Sequence, residues 1–182
     1  MLNGGRAIFL DRDGVVNKAI VRKGKPYSPT TLEELIIVPE APELLELLRV
    51  SGFKLVVVTN QPDVARGKIT RSTVDAMNRY LCRVLPLDAV EICDHDDADH
   101  CDCRKPKPGL LMRAARTHAI NLSESFMVGD RWSDIEAGRR AHCCTILIGD
   151  GYGEQQTCQA DVIVSGLREA TEWILGATEG MR

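Results

Sequence analysis

Lys54-Leu55-Val56-Val57-Val58-Thr59 is the stretch on which the fold turns. Its β-branched run suits a strand buried on both faces, and such strands belong to parallel sheets with helices on either side. Similar short apolar runs occur at Ala7–Leu10, Ala89–Cys93, Phe126–Gly129, Thr145–Ile148 and Asp161–Val164. Amphipathic stretches lie between them. Ala41–Val50 carries Leu44, Leu45, Leu47 and Leu48 and is stopped by Ser51-Gly52. Thr70–Leu85 places Val74, Met77, Leu81 and Val84 on one face and is closed by Pro86. Gly109–His118, Ser133–Arg140 and Leu167–Leu175 follow, whereas Val15–Thr30, Asp94–Pro108 and Gly149–Gln159 read as irregular. Strand–helix alternation of this kind implies right-handed crossovers. The predicted fold is α/β: a three-layer, Rossmann-like arrangement around a mostly parallel sheet.

The 182 residues suffice for one domain with a single sizeable core. Apolar residues make up 44% and charged residues 27%, the balance of a soluble globular protein. The net charge of −3 and the pI of about 5.8 argue against a nucleic-acid partner, which calls for a basic face. No apolar run approaches membrane-spanning length. Met1–Asp11 passes from one short apolar stretch into charged residues, unlike a secretory signal. The expected compartment is the cytoplasm. There, an odd count of seven cysteines argues against a disulfide framework. No long heptad appears, so the expected state is a monomer.

Ligands of parallel sheets sit outside the carboxyl ends of the strands. Asp11, Thr59, a cysteine–histidine cluster and Asp130 each follow a predicted strand, so polar groups from four segments converge on one edge. In Asp11-Arg12-Asp13-Gly14 the two carboxylates are two residues apart and point the same way on an extended chain. Such a pair attracts a hard cation such as Mg²⁺, or divides labour between an ionised and a protonated acid. Taken alone the sequence also fits a polar turn. An EF-hand loop is excluded, because its glycine stands sixth and Gly14 stands fourth. In Val128-Gly129-Asp130-Arg131-Trp132-Ser133-Asp134, Asp130 could serve the same cation. Asp134 either supports that cation or complements the dipole of the helix it opens.

Cys93-x-His95, five residues and then Cys101-x-Cys103 offer three thiolates and an imidazole, a set suited to tetrahedral Zn²⁺. His100 is an alternative to His95. With four protein ligands such a site is structural, and Cys103 directly precedes Arg104-Lys105, so a clamped loop over 93–103 would aim those two cations.

Together these segments resemble the haloacid dehalogenase-like phosphatases. Four motifs appear in order within residues 7–138: Asp11-Arg12-Asp13-Gly14-Val15-Val16-Asn17, Thr59-Asn60-Gln61, Arg104-Lys105-Pro106, and Gly129-Asp130 with Asp134. Phe9-Leu10 before the first motif, Ala65-Arg66-Gly67 and Cys101-Asp102-Cys103 resemble the capless branch that holds heptose 1,7-bisphosphate and histidinol phosphatases. The resemblance implies a single hydrolase domain over residues 1–182 without a large cap. It also implies that Asp11 attacks phosphorus, that Asp13 protonates the leaving oxygen and then activates water, and that Thr59 and Lys105 hold phosphate oxygens. Asp11, the Asp13 main-chain carbonyl and Asp130 would bind Mg²⁺. From its role, Asp13 should be the weaker acid of the pair.

The substrate expected is a small phosphorylated metabolite. Arg12, Lys25, Tyr27, Asn60, Gln61, Arg104 and Arg131 are the candidate substrate-binding residues. So many cations suit a second phosphate, and a heptose 1,7-bisphosphate leads. Histidinol phosphate stays open, because the acidic stretch Asp94–Asp102 could hold a cationic substrate. The Val21–Tyr27 loop and Pro62-Asp63 depart from the heptose pattern, which leaves the sugar undecided. A nucleic-acid 3′-phosphatase fits poorly with the 4% aromatic content, and a non-enzymatic zinc module fits poorly with a full catalytic set.

Overall fold

The computed structural model describes residues 4–154 and 159–179. Cys158 and part of the 149–159 stretch lie outside them. In chain order the elements are β1 (Ala7–Leu10), β2 (Ile20–Arg22), β3 (Lys25–Tyr27), α1 (Ala41–Val50), β4 (Lys54–Asn60), α2 (Arg71–Val84), β5 (Ala89–Cys93), α3 (Gly109–His118), β6 (Phe126–Gly129), α4 (Trp132–Arg140), β7 (Cys144–Ile148), β8 (Val162–Val164) and α5 (Leu167–Glu179). Six strands form one sheet in the order β5-β4-β1-β6-β7-β8. Every neighbouring pair in it is parallel.

Strand side chains alternate between two cores. Ile8, Leu10, Leu55, Val57 and Val128 pack with α1, α2 and α5. Ala7, Phe9, Val56, Val58 and Met127 pack with α3 and α4. This is why the Leu55–Val58 run has no polar side: both faces of β4 are dry. In α1, Leu44, Leu45 and Leu48 face the sheet while Leu47 is exposed, and Gly52 (φ +90°) ends the helix with its N–H on Arg49 O. In α2 the Thr70 hydroxyl caps the Thr73 N–H at 3.1 Å. Val84, which the spacing assigns to the buried face of α2, is exposed, and polar Asn78 is buried instead.

The stretch 15–30 is not irregular. It holds the antiparallel hairpin β2–β3, with Arg22 opposite Lys25. The two turn residues, Lys23 (φ +51°) and Gly24 (φ +75°), both take positive φ, as a two-residue hairpin turn requires. Lysine in the first position hides that signal, and exposed Val21 and Tyr27 give the strands no buried face to reveal them. The stretch 94–108 holds a single 3₁₀ turn at Asp97–Asp99.

After β1 the chain crosses towards β4, and after β6 it crosses the other way towards β7. The connections therefore diverge between β1 and β6 and open a crevice at their carboxyl ends. Among the described residues no helix is long and apolar enough to cross a membrane.

Leu45 is fully buried and Leu47 is 43% exposed. Leu45→Ala should cost about 2–5 kcal/mol, and Leu47→Ala less than about 0.5 kcal/mol. Urea unfolding at constant slope reads both, and equal losses would contradict this packing.

Candidate active site

The crevice is filled from four strand ends. Asp11 follows β1, and its N–H donates to Val128 O of β6 at 2.9 Å. Lys105 arrives from the loop after β5 and is nearly inaccessible. Its Nζ lies 2.7 Å from Asp11 Oδ1 and 2.6 Å from Asp134 Oδ1, and also donates to Val58 O at 2.7 Å. Asp134 is in the first turn of α4, where its carboxylate also accepts the Arg131 N–H at 3.1 Å. Asp130 follows β6 directly, and oxygens of Asp11, Asp130 and Asp134 all lie within 4.8 Å of one another. Gly14 is required beside them: it has φ +97°, and a Cβ there would come within 1.7 Å of Asp130 Oδ2.

Three carboxylates thus share one ammonium. Burial, then the charges of Asp11 and Asp134, push Asp130 up to about 8. Burial pushes Asp11 up to about 6, against the pull of Lys105. Burial would depress Lys105, but Asp11 and Asp134 together hold it above the ordinary lysine range. A fully ionised cluster would carry two negative charges in excess, which a divalent cation matches. Asp130 is 3% exposed and its Oδ1 has no hydrogen-bond partner. A buried, unpaired carboxylate oxygen in an anionic pocket is the donor that a hard cation such as Mg²⁺ seeks.

Asp13 reverses an expectation. Burial raises its carboxyl, but the Arg12 charge and hydrogen bonds from Arg12, Asn17 and Ser28 outweigh it and leave it below the ordinary range. Arg12 Nε and Nη2 grip the two oxygens at 3.1 Å each, Asn17 Nδ2 donates at 2.9 Å, Ser28 Oγ at 2.7 Å and Gln61 Nε2 at 3.0 Å. In this state Asp13, not Asp11, is the stronger acid. Arg12 also corrects its assignment to the substrate. It is 0% exposed, and its remaining nitrogen, Nη1, donates to Asn78 Oδ1 of α2 at 3.2 Å. The cation therefore sits beneath the crevice and orients Asp13. Asn17 closes the first motif but was given no role there, and Ser28 had no motif to mark it.

Asn60 spends its amide on the backbone of Lys105: Nδ2 donates to Lys105 O at 3.0 Å, and Oδ1 accepts the Lys105 N–H at 3.1 Å. Thr59 is buried, and its hydroxyl accepts from Gln61 Nε2 at 2.9 Å. The catalytic crevice is lined by Asp11, Asp13, Tyr27, Asn60, Lys105 and Arg131 among others. A second cavity of about 280 Å³ adjoins it, with Gln61, Asp63, Arg66, Lys68 and Arg104 in its wall. Lys25 lines a separate cleft with Tyr152. Four cations around these cavities are paired: Arg66 with Asp63 and Asp96, Lys68 with Asp63, Arg104 with Asp97, and Arg131 with Glu154.

Cys93, His95, Cys101 and Cys103 come together, whereas His100 does not join them. Cys103 Sγ lies 3.0 Å from Cys93 Sγ, 3.5 Å from Cys101 Sγ and 3.3 Å from His95 Nδ1. The cysteines are unpaired as disulfides. Four soft donors at this spacing make a set that could hold one metal ion.

The buried carboxylates generate a stability test. Asp130 holds its proton up to about pH 8 in the metal-free fold, but only to about pH 4 when unfolded. The fold therefore loses stability as pH rises between these values, and the deficit is complete above pH 8. Asp130→Asn keeps an acceptor for its neighbours and removes the charge. In EDTA above pH 8 it should melt higher than wild type, by roughly 2–4 °C for each kcal/mol relieved, with the gap closing towards pH 4. A variant that melts lower throughout would contradict the electrostatics.

Residues 102–170 match the family described as HAD-hydrolase-like. A D-glycero-beta-D-manno-heptose-1,7-bisphosphate 7-phosphatase of Helicobacter pylori is 37% identical over 77% of this chain and 81% of its own. A D-glycero-D-manno-heptose-1,7-bisphosphate 7-phosphatase of Chlorobaculum tepidum is 32% identical over 96% and 97%. The crystal structure of the D,D-heptose 1,7-bisphosphate phosphatase from B. bronchiseptica, complexed with magnesium and phosphate, superposes with a TM-score of 0.81 at 28% identity, covering 94% of this chain and 99% of that one. The chain is therefore a haloacid dehalogenase-like phosphatase and belongs to the family of the heptose-1,7-bisphosphate 7-phosphatases.

Proposed function

We propose that this chain removes one phosphate from a heptose 1,7-bisphosphate through an aspartyl-phosphate on Asp11. The observation that carries the reading is the Asp11–Lys105–Asp134 contact beside the unpartnered Asp130 Oδ1. A carboxylate approaching a phosphate dianion meets repulsion of about 4 kcal/mol per charge pair at 4 Å. Lys105 stands at the attacking atom to offset it, and Asp134 fixes where Lys105 points. Mg²⁺, held by Asp11, the Asp13 carbonyl and Asp130, would supply charge neutralisation at the phosphoryl oxygens. Asp11 forms the bond to phosphorus while the bond to the leaving oxygen breaks, and Asp13 gives that oxygen a proton. Asp13 then takes a proton from the water that frees Asp11. Because Arg12 holds Asp13 ionised at rest, an anionic phosphate beside it must raise its proton affinity before it can act. Thr59 accepts from Gln61 and so keeps its hydroxyl proton to donate to a phosphate oxygen.

In the same reading Cys93, His95, Cys101 and Cys103 hold a structural Zn²⁺, and the chain acts as a single domain, a cytoplasmic monomer working on a small metabolite. Histidinol phosphate is the second reading. It is favoured by Asp63, Asp96 and Asp97, which already neutralise the outer arginines that a second phosphate would use.

Phosphate release in Mg²⁺ should be measured on both anomers of heptose 1,7-bisphosphate, histidinol phosphate, fructose 1,6-bisphosphate and a 3′-phosphorylated oligonucleotide. Strong turnover of a heptose bisphosphate is expected, falling roughly 10⁴-fold or more in Asp11→Asn. Turnover of histidinol phosphate alone would move the substrate to the second reading.

Asp13→Asn should lose about 10²–10⁴-fold on the sugar phosphate. On 4-nitrophenyl phosphate, whose anion leaves without a proton, the same variant should release a burst of phenolate and then stall. Equal loss on both substrates without a burst would remove the acid role. Stripping zinc, with Mg²⁺ kept in excess, should lower turnover by loosening the Arg104–Lys105 segment. Undiminished activity in zinc-free protein would show that the loop aims itself.

A further inference from the structure

Tyr152 takes no part in the chemistry above, yet its hydroxyl donates to Asp130 Oδ2 at 2.7 Å. It comes from the loop after β7, where it adopts φ +58° with its N–H on Asp150 Oδ1 at 3.0 Å. Two residues on, Glu154 is held by an ion pair with Arg131. Gly14 closes the other side of the same oxygen, since a Cβ there would lie 1.7 Å from Oδ2 and 3.2 Å from the Tyr152 hydroxyl. Asp130 Oδ2 is therefore walled in by the Gly14 backbone and the phenol, and Oδ1 is the oxygen left without a partner.

We propose that Tyr152 is a positioning residue that keeps Asp130 a one-oxygen ligand and thereby favours Mg²⁺ over Ca²⁺ at this site. Mg²⁺ demands a small, nearly octahedral shell, whereas Ca²⁺ takes six to eight oxygens and readily uses both atoms of a carboxylate. A hydrogen bond that occupies one carboxylate oxygen removes the option that calcium uses. It also fixes the rotation of the ligand, so less conformational freedom is lost when the ion binds. The inference rests on the assignment of Asp130 as a magnesium ligand.

The test is calorimetric titration of the metal-free protein with MgCl₂ and, separately, CaCl₂. Tyr152→Phe should raise the Mg²⁺ Kd about tenfold and narrow the ratio of calcium to magnesium constants, with its melting temperature in EDTA close to wild type. Glu154→Ala, which frees the loop and keeps the phenol, should narrow the ratio in the same direction and stands in if Tyr152→Phe does not fold. Wild-type binding that Asp130→Asn abolishes, together with an unchanged ratio in the loop variant that folds, would overturn the role of Tyr152 alone. Unaltered Mg²⁺ affinity in Asp130→Asn would overturn the ligand assignment and this inference with it.

Discussion

Lys105 Nζ stands 2.7 Å from Asp11 and 2.6 Å from Asp134 in a region almost closed to water. An unpaired charge in such a place costs several kcal/mol, so the ammonium and the carboxylates constrain one another strongly. The cluster still contains more acid than base. The sheet holds it together because Asp11 and Asp130 are fixed at the ends of adjacent strands, with β1 and β6 paired from Ile8–Phe126 to Leu10–Val128. Neither carboxylate can retreat without breaking that ladder. The fold thus maintains an arrangement that is unfavourable on its own and that a cation makes favourable. This is the trade of stability for a preorganised field that catalytic sites commonly show.

A second layer of electrostatics surrounds this one and is of opposite design. Arg12 and Asp13 form a neutral pair under the crevice, and the arginines above it each meet a carboxylate. Arg66 reaches from the segment after β4 to Asp96 in the cysteine–histidine loop, and Arg104 turns back to Asp97 in that loop. Arg66, Arg104 and Arg131 are therefore already engaged. A phosphate that reached one of these arginines would compete with the carboxylate already beside it, and such a competition discriminates by geometry as much as by charge.

Much of this was legible in the sequence. The strand runs are apolar because both faces of the sheet are covered, and that pattern survives translation into letters. Asp11 and Asp130 could be placed because strand ends sort polar groups to one edge, and Lys105 through the resemblance carried by Arg104-Lys105-Pro106. The hairpin at 20–27 was not legible, since its strands bury nothing and its turn begins with lysine. The burial of Arg12 was also hidden: the letter records a cation, and only Asn78 from a helix sixty-six residues away reveals where it lies. The relative acidity of Asp13 depends on four neighbours from three segments, none adjacent in the chain except Arg12. Tyr152 escaped because glycines on either side make its loop look featureless.

The paired hydrogen bonds between the Asn60 side chain and the Lys105 backbone have a consequence for how such a protein can change. They fasten the end of the excursion that begins after β5 directly to the end of β4. The chain between Cys93 and Lys105 is then a tethered insert whose two ends are anchored independently of its contents. These two bonds hold the Lys105 backbone from the β4 side, while the cysteine–histidine set ends two residues before it on the loop side. Lys105 thereby keeps a direct tie to the sheet that does not run through the loop preceding it, so a change of length or charge in that loop leaves this one anchor in place.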